Sequence, residues 1–294
     1  MAATRSFGSA TGKMPGSEAI ESKGFLRAHR WLILRRLSQF GIFALFLAGP
    51  LAGIWLIKGN LSASLTLDMV PLTDLFVLLQ SLTAGHLPAT SALLGAAIVA
   101  VIYLLLGGRV FCAWACPMNV VTDSAAWLRR RLGIKGGSAP ARSTRLWLLG
   151  FILLACLLTG SMVWEFVNPV SLLQRALIFG IGAALLPAVG IFLYDLFVAQ
   201  HGWCGHLCPM GACYSLLGHG ALVRVAASGR SRCTDCMDCF SVCPEPQVIR
   251  PALKGSGSAL ILAADCSNCG RCIDVCSQDV FRMTHRFDKR RDEA

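Results

Sequence analysis

Eight of the fourteen cysteines fall into two runs of the same spacing. Residues 233–244 read CTDCMDCFSVCP and residues 266–277 read CSNCGRCIDVCS, so Cys233, Cys236, Cys239 and Cys243 recur as Cys266, Cys269, Cys272 and Cys276. C-x2-C-x2-C-x3-C is the spacing of bacterial two-cluster ferredoxins. Three thiolates in a tight turn hold three irons of a cubane, and the fourth ligand arrives from the other run. The expected ligand sets are Cys233, Cys236, Cys239 and Cys276 for one 4Fe–4S cluster, and Cys266, Cys269, Cys272 and Cys243 for the other. Ser277 stands where proline commonly follows the fourth cysteine, a departure that removes no ligand. Structural zinc favours two well-separated C-x-x-C pairs, and disulfides require an oxidising compartment, so both alternatives fit poorly.

The rest of the chain is governed by its apolar runs. It is 55% hydrophobic and 15% charged over 294 residues, with a mean hydropathy of +0.60, against about 25% charged residues in a soluble domain. A bilayer core needs about 20 apolar residues as a helix, and four stretches qualify: about 40–57, 89–107, 146–167 and 176–200, with Pro50 and Pro187 inside spans. The net charge of +11 could suggest nucleic acid, but its distribution reads as topology. Lys23, Arg27, Arg30, Arg35 and Arg36 precede the first span; Arg109, Arg129, Arg130, Arg131, Lys135, Arg142 and Arg145 lie between the second and third. The opposite loops hold only Lys58 and, at an edge, Arg175. The positive-inside rule then puts both termini and the middle loop in the cytoplasm of a bacterial inner-membrane protein, with no nucleic-acid partner. The first span lacks a clear cleavage site and is not expected to be a removed signal peptide.

The expected architecture is therefore an α-helical integral membrane protein with four transmembrane helices and a C-terminal, two-cluster, ferredoxin-like α+β domain. Residues 1–36 form a cytoplasmic segment, disordered over 1–20; 37–200 form the membrane domain; 201–228 form an interfacial linker; and 229–294 form the ferredoxin domain. MVPLTDLFVLLQSL, Met69 to Leu82, is too short to span and reads as an interfacial or re-entrant helix capped by Thr73 or Asp74, most simply one lying on the membrane surface.

Two further cysteine pairs share the pattern C-x-x-x-C-P-M: Cys112 and Cys116 before Pro117 and Met118, and Cys204 and Cys208 before Pro209 and Met210. Each pair follows an even-numbered span, so the topology brings both to the cytoplasmic face. Duplication with Pro and Met included argues against simple packing. The pairs are expected to form one four-thiolate unit, either an additional iron–sulfur centre or redox-active dithiols. Cys156 and Cys213 read as packing residues. Glu165, Asp195 and His206, with His201 nearby, are candidates for proton or substrate chemistry, because ionisable groups in spans are costly and often functional. No Gly-rich nucleotide fingerprint follows a strand.

The landmarks RWLILRR, LTDLFVLLQSL, CAWACP, WCGHLCP, WEFVNPVSL and CMDCFSVCPEP, in that order, resemble the NapH family from about residue 20 onward. This is the membrane component of the quinol dehydrogenase that serves periplasmic nitrate reductase, and a MauN group tied to methylamine utilisation is similar. The resemblance implies oxidation of membrane quinol and electron delivery through a periplasmic NapG-type iron–sulfur protein towards periplasmic nitrate reductase with its cytochrome. The alternative is an accessory or assembly redox protein for another respiratory metalloenzyme or for methylamine dehydrogenase. The charge asymmetry makes a direct prediction. Alkaline phosphatase fused near Asn60 is expected to be active and fused after Ala294 inactive; the reverse pattern rejects the orientation.

Overall fold

The computed structural model describes residues 14–134, 136–255 and 257–288. The disorder expected over 1–20 falls outside the described residues up to 13, while the remainder is ordered. Helix Ser17–Lys23 follows Pro15-Gly16, whose glycine amide donates to Asp238 Oδ2 at 2.9 Å. Ala19 is fully buried, and Lys23 Nζ reaches the Ile273 carbonyl. This segment lacks an apolar repeat because it is held by polar contacts to a lobe more than 200 residues away. The helix after it, Arg30–Ala52, has no side-chain cap of its own. Asp274 supplies one from that lobe, accepting from Trp31 N at 3.1 Å and Leu32 N at 2.9 Å. A carboxylate there satisfies orphan amides and opposes the positive end of the helix dipole.

The apolar stretches form shorter, more broken helices than the expected spans. Arg30–Ala52 begins earlier than 40 and ends at left-handed Gly53. By length and composition it alone among the described helices is long enough to cross a bilayer. Thr90–Leu106 matches the second stretch. The third stops at Thr159, where Gly160 has φ +64°, and Val163–Val167 forms a separate turn. The fourth is divided at Gly180, φ +67°, into Pro169–Phe179 and the Gly182–Phe197 segment. Asn168 caps the former by accepting from Val170 N at 3.1 Å, with Pro169 in the first turn. Pro187 also sits in a first turn and costs no hydrogen bond, whereas Pro50 lies inside its helix.

Residues 57–73 form an antiparallel sheet that the hydropathy reading misses. Strands Ile57–Gly59, Ala63–Thr66 and Val70–Thr73 pair in chain order. Asn60 Oδ1 accepts from Ser62 N and Ala63 N at the first turn, while Leu67 and Asp68 take positive φ at the second. Asp74 then caps helix Leu75–Thr83. This helix does not lie on a surface as the simplest reading of Met69–Leu82 supposes. Phe76 and Gln80 are fully buried, and the helix packs against Thr144–Thr159. The side chain of Asp74 meets the Tyr214 hydroxyl deep in the bundle.

The ferredoxin lobe begins earlier than residue 229. Strand Val223–Ala226 pairs antiparallel with Arg282–His285, in register Val223 to His285, and Val225, Phe240, Ile249, Ile261 and Phe281 form its core. The middle of the supposed linker is helix Pro209–Gly218, whose Ala212 and Tyr214 are fully buried.

Lobe and bundle are joined by buried ion pairs. Glu245, 2% exposed, receives Arg109 at 2.7 Å and Arg145 at 2.6 Å, and Arg145 also reaches Asp265 at 2.6 Å. A second junction centres on Asp123, paired with Arg36 at 2.6 Å and Arg271 at 2.7 Å. Removing one member of a buried pair strands its partner's charge, at about 3–5 kcal/mol. Glu245→Ala is accordingly expected to destabilise the detergent-solubilised protein by about that amount, measured by thermal unfolding. A change within the scatter of surface substitutions would show that the junction bears no such weight.

Candidate functional site

The two C-terminal cysteine runs fold as near copies of each other. Asp235 and Met237 lie at φ +59° and +64°, and the equivalent Asn268 and Gly270 at +48° and +73°. Left-handed residues alternating with ordinary ones turn successive amides inward, a concavity suited to anionic sulfur. The thiols of Cys233 and Cys266 donate to Asp235 Oδ1 at 3.4 Å and Asn268 Oδ1 at 3.5 Å. Gly270 meets a second demand, since a Cβ there would stand 2.3 Å from the Trp31 ring.

Cys233, Cys236, Cys239 and Cys276 line one cavity, and Cys243, Cys266, Cys269 and Cys272 line another. The structure thus brings the last cysteine of each run to the first three of the other. Burial, then Cys236, Cys276 and Cys233, push the Cys239 thiol up to about 12. Cys272 is raised by burial and by Cys269, Cys266 and Cys243.

The C-x3-C-P pairs converge as well. Each straddles a helix break rather than lying on one continuous helix. Cys112 sits in Val110–Trp114, and Cys116 precedes Pro117, which caps Met118–Arg131. Cys204 sits in the π-turn Trp203–Leu207, and Cys208 caps the helix begun by Pro209. All four cysteines line one cavity beside Met118, Trp164, Met210 and Tyr214. Burial raises the Cys208 thiol to about 11, with Cys112 adding to it. Cys116 is raised by burial and by Cys112 and Cys208, and Cys204 by burial, Cys208 and Asp195.

The three cavities enclose similar space, about 400, 390 and 440 Å³ including their mouths, so the third is of a kind with the other two. Among the described residues every cysteine is free. Among the described residues no group of three or more His, Cys, Asp or Glu converges as a single ion requires, whereas a cubane distributes four thiolates over four separate irons. Buried thiols that raise one another's pKa become thiolates only against a compensating cation, which is how such ligands couple metal binding to proton release. Donor set, cavity size and burial therefore fit iron–sulfur clusters.

The 4Fe-4S binding domain family matches residues 88–135 and 181–225, the stretches that carry the two C-x3-C-P pairs. The ferredoxin-type protein NapH of Escherichia coli is 52% identical over 92% of this chain and 95% of its own. The methylamine utilization ferredoxin-type protein MauN of Methylorubrum extorquens is 55% identical over 92% of this chain and 94% of its own. NapH of Haemophilus influenzae is 50% identical over 94% and 97%. The chain belongs to the NapH/MauN family. No solved structure matches it. As a ferredoxin-type protein with a 4Fe-4S binding domain, this NapH/MauN member works by iron–sulfur electron transfer.

The carboxylates and histidines singled out by sequence are dispersed in this NapH/MauN fold. Glu165 is held by Ser62 and Ser171 hydroxyls at 3.2 Å and Asn168 Nδ2 at 3.1 Å. Asp195 accepts from Trp203 N at 3.0 Å and so fixes the turn that bears Cys204. His206 is buried beside Cys243 and Pro244, in a cavity that His201 also lines. Sequence reasoning missed Arg109 as a site residue. Its guanidinium lines the C-x3-C-P cavity, donates to the Cys204 carbonyl at 2.8 Å and pairs with Glu245, which lines the cavity of Cys243. Its place three residues before Cys112 was the available signal, obscured because it also served as a topology charge. Asp74 and Tyr214 were missed as a pair because 140 residues separate them.

Replacement of Cys243 by serine is expected to alter the EPR signal of the centre shared with Cys266, Cys269 and Cys272, leaving the other ferredoxin signal in place. Loss confined to the centre of Cys233, Cys236 and Cys239 would overturn this grouping.

Proposed function

We propose that this protein is a membrane-bound iron–sulfur subunit that oxidises quinol and passes electrons, through a periplasmic NapG-type iron–sulfur protein, towards periplasmic nitrate reductase. The observation that carries the reading is the assembly of twelve cysteines around three matched cavities. When bound, clusters at these positions supply one-electron chemistry, suited to dividing a two-electron donor's output. Cys112, Cys116, Cys204 and Cys208 would hold the third centre. The match of the 4Fe-4S binding domain family to both C-x3-C-P stretches supports this assignment over dithiol chemistry.

Membrane residence with four spans and a cytoplasmic ferredoxin lobe is supported by the outward faces of the short helices. Phe151, Leu158 and Leu186 are 67%, 77% and 68% exposed, apolar surface that water does not favour and lipid does. The four-cysteine cavity also bears on how the two faces communicate. Arg109 and Glu245 hold it against the ferredoxin lobe on one side. On the other, Tyr214 in its wall meets Asp74 from the loop expected to face the periplasm. These residues give the centre a protein contact towards each face.

MauN relatives of similar identity favour one second reading, a redox accessory protein of methylamine utilisation. Reoxidation of the reduced protein by its periplasmic partner plus nitrate supports the first reading, and indifference to nitrate supports the second.

Chemical analysis of the purified protein is expected to give about twelve irons and as many acid-labile sulfides per chain, four for each centre. With Cys112 and Cys204 both changed to serine, about eight should remain and quinol oxidation should be lost. Normal quinol oxidation by that variant would return the four cysteines to a packing role.

A further inference from the structure

A cavity larger than any of the cysteine cavities lies where the N-terminal segment, helix Met118–Arg131 and the ferredoxin lobe meet. It encloses about 1330 Å³ including its mouth, roughly three times the space of each cysteine cavity. It has a wall residue in common with each ferredoxin cysteine cavity: Val275 with that of Cys276, and Arg271 with that of Cys243. A ligand held here would touch the walls of both.

The lining has two characters. Ile20, Leu32, Trp127, Val242 and Val275 make it apolar, while Arg35, Arg36, Arg130 and Arg271 bring four cations against the carboxylates of Asp123 and Asp274. Those carboxylates are already engaged, Asp274 by the amides of Trp31 and Leu32 and Asp123 by Arg36 and Arg271. Not every donor is. The buried Nε atoms of Arg35 and Arg271 have no hydrogen-bond partner, and the Arg130 guanidinium, which feels the charges of Asp123 and Arg271, also lines the chamber. His201, 3% exposed, lines the same wall. Burial and Arg271 push its ring down to about 3, so it is a neutral imidazole able to accept from a hydroxyl. The short helix that supplies Ala28 to the lining also exposes Phe25 and Leu26, at 61% and 74%, so apolar surface continues outward from the mouth.

A chamber with apolar walls on one side, guanidinium donors on the other and a neutral imidazole suits a flat, apolar ring bearing oxygens. We propose that this cavity binds the ring of the lipid-soluble quinol, with Arg130 and His201 at its oxygens and Trp127 against its face. The inference rests on the quinol-oxidising reading above and gives that reading its substrate site. Conversion of hydroquinone to quinone releases two protons and two electrons. His201 would accept a hydrogen bond from one hydroxyl and both protons would leave to water at the mouth, while clusters held by the cysteines of the two flanking cavities would take up one electron each. Glu165, Asp195 and His206 do not line this chamber.

Full-length protein in detergent tests the assignment through two readouts: equilibrium binding of a short-chain benzoquinone, and EPR of cluster reduction by duroquinol. Arg130→Gln and Trp127→Ala change only this cavity's lining among the five described here. Each is expected to weaken benzoquinone binding by about tenfold or more, the loss typical of one charge-assisted contact for Arg130 and of one aromatic contact for Trp127, and to slow reduction by duroquinol in proportion. Iron content and dithionite-reduced spectra should match the wild type. If the wild type binds benzoquinone and both variants bind it equally well, the ring lies elsewhere and the inference falls. If binding is lost in the variants but duroquinol reduces none of the proteins, the site stands and the quinol-oxidising reading falls instead.

Discussion

Glu245 places one carboxylate between two guanidinium groups that have been taken out of water, and the relative position of the two halves of the molecule follows from it. Arg109 and Arg145 come from the ends of different helices, and Asp265 completes the set from the second cysteine run. Buried ion pairs of this kind contribute little net stability compared with apolar packing, because desolvation consumes most of the attraction. Their directionality is what matters here. An apolar interface would tolerate sliding, whereas a carboxylate shared by two guanidinium groups fixes one register. The residues it fixes adjoin Cys112, Cys243 and Cys266.

The same logic extends to the first long helix. Its amides are closed by Asp274, and its Arg35 and Arg36 meet Asp123, which also receives Arg271. The ferredoxin lobe therefore does not hang from a tether; it caps one helix and neutralises charges on another. Several cations that set the formal charge of +11 are interior groups. Arg35, Arg109, Arg129 and Arg145 are each less than 5% exposed. Arg129 donates to the Leu196 carbonyl at 2.6 Å, closing the end of the Gly182–Phe197 segment.

The cysteine positions were the most legible part of the sequence, because ligand geometry imposes spacing that nothing else in a chain imitates. The likeness of the two C-x3-C-P segments was legible for the same reason. The helix limits were not. A single glycine within an apolar run is ordinary, so nothing marked Gly160 and Gly180 as left-handed stops. The sheet over 57–73 was hidden because its second turn uses Leu67-Asp68 at positive φ, without the Asn-Gly signature that usually betrays a hairpin. The buried arginines were hidden because a cation that orients a protein and a cation that cements it are the same letter. Only tertiary structure separates the two roles, by bringing Glu245 to Arg109 across 136 residues.

The crossed lining of the ferredoxin cavities has a consequence for biogenesis. During synthesis Cys233, Cys236 and Cys239 emerge first, but their cavity remains one-sided until Cys276 has left the ribosome. The bundle cavity likewise waits about ninety residues after Cys116 for Cys204 and Cys208. The ferredoxin pockets cannot close until the second cysteine run has emerged, and the bundle pocket not until Cys208 has, so loading of each waits for the later of its two segments. A nascent chain interrupted before its last cysteine run would expose unmatched thiols to whatever metal or oxidant the cell offers.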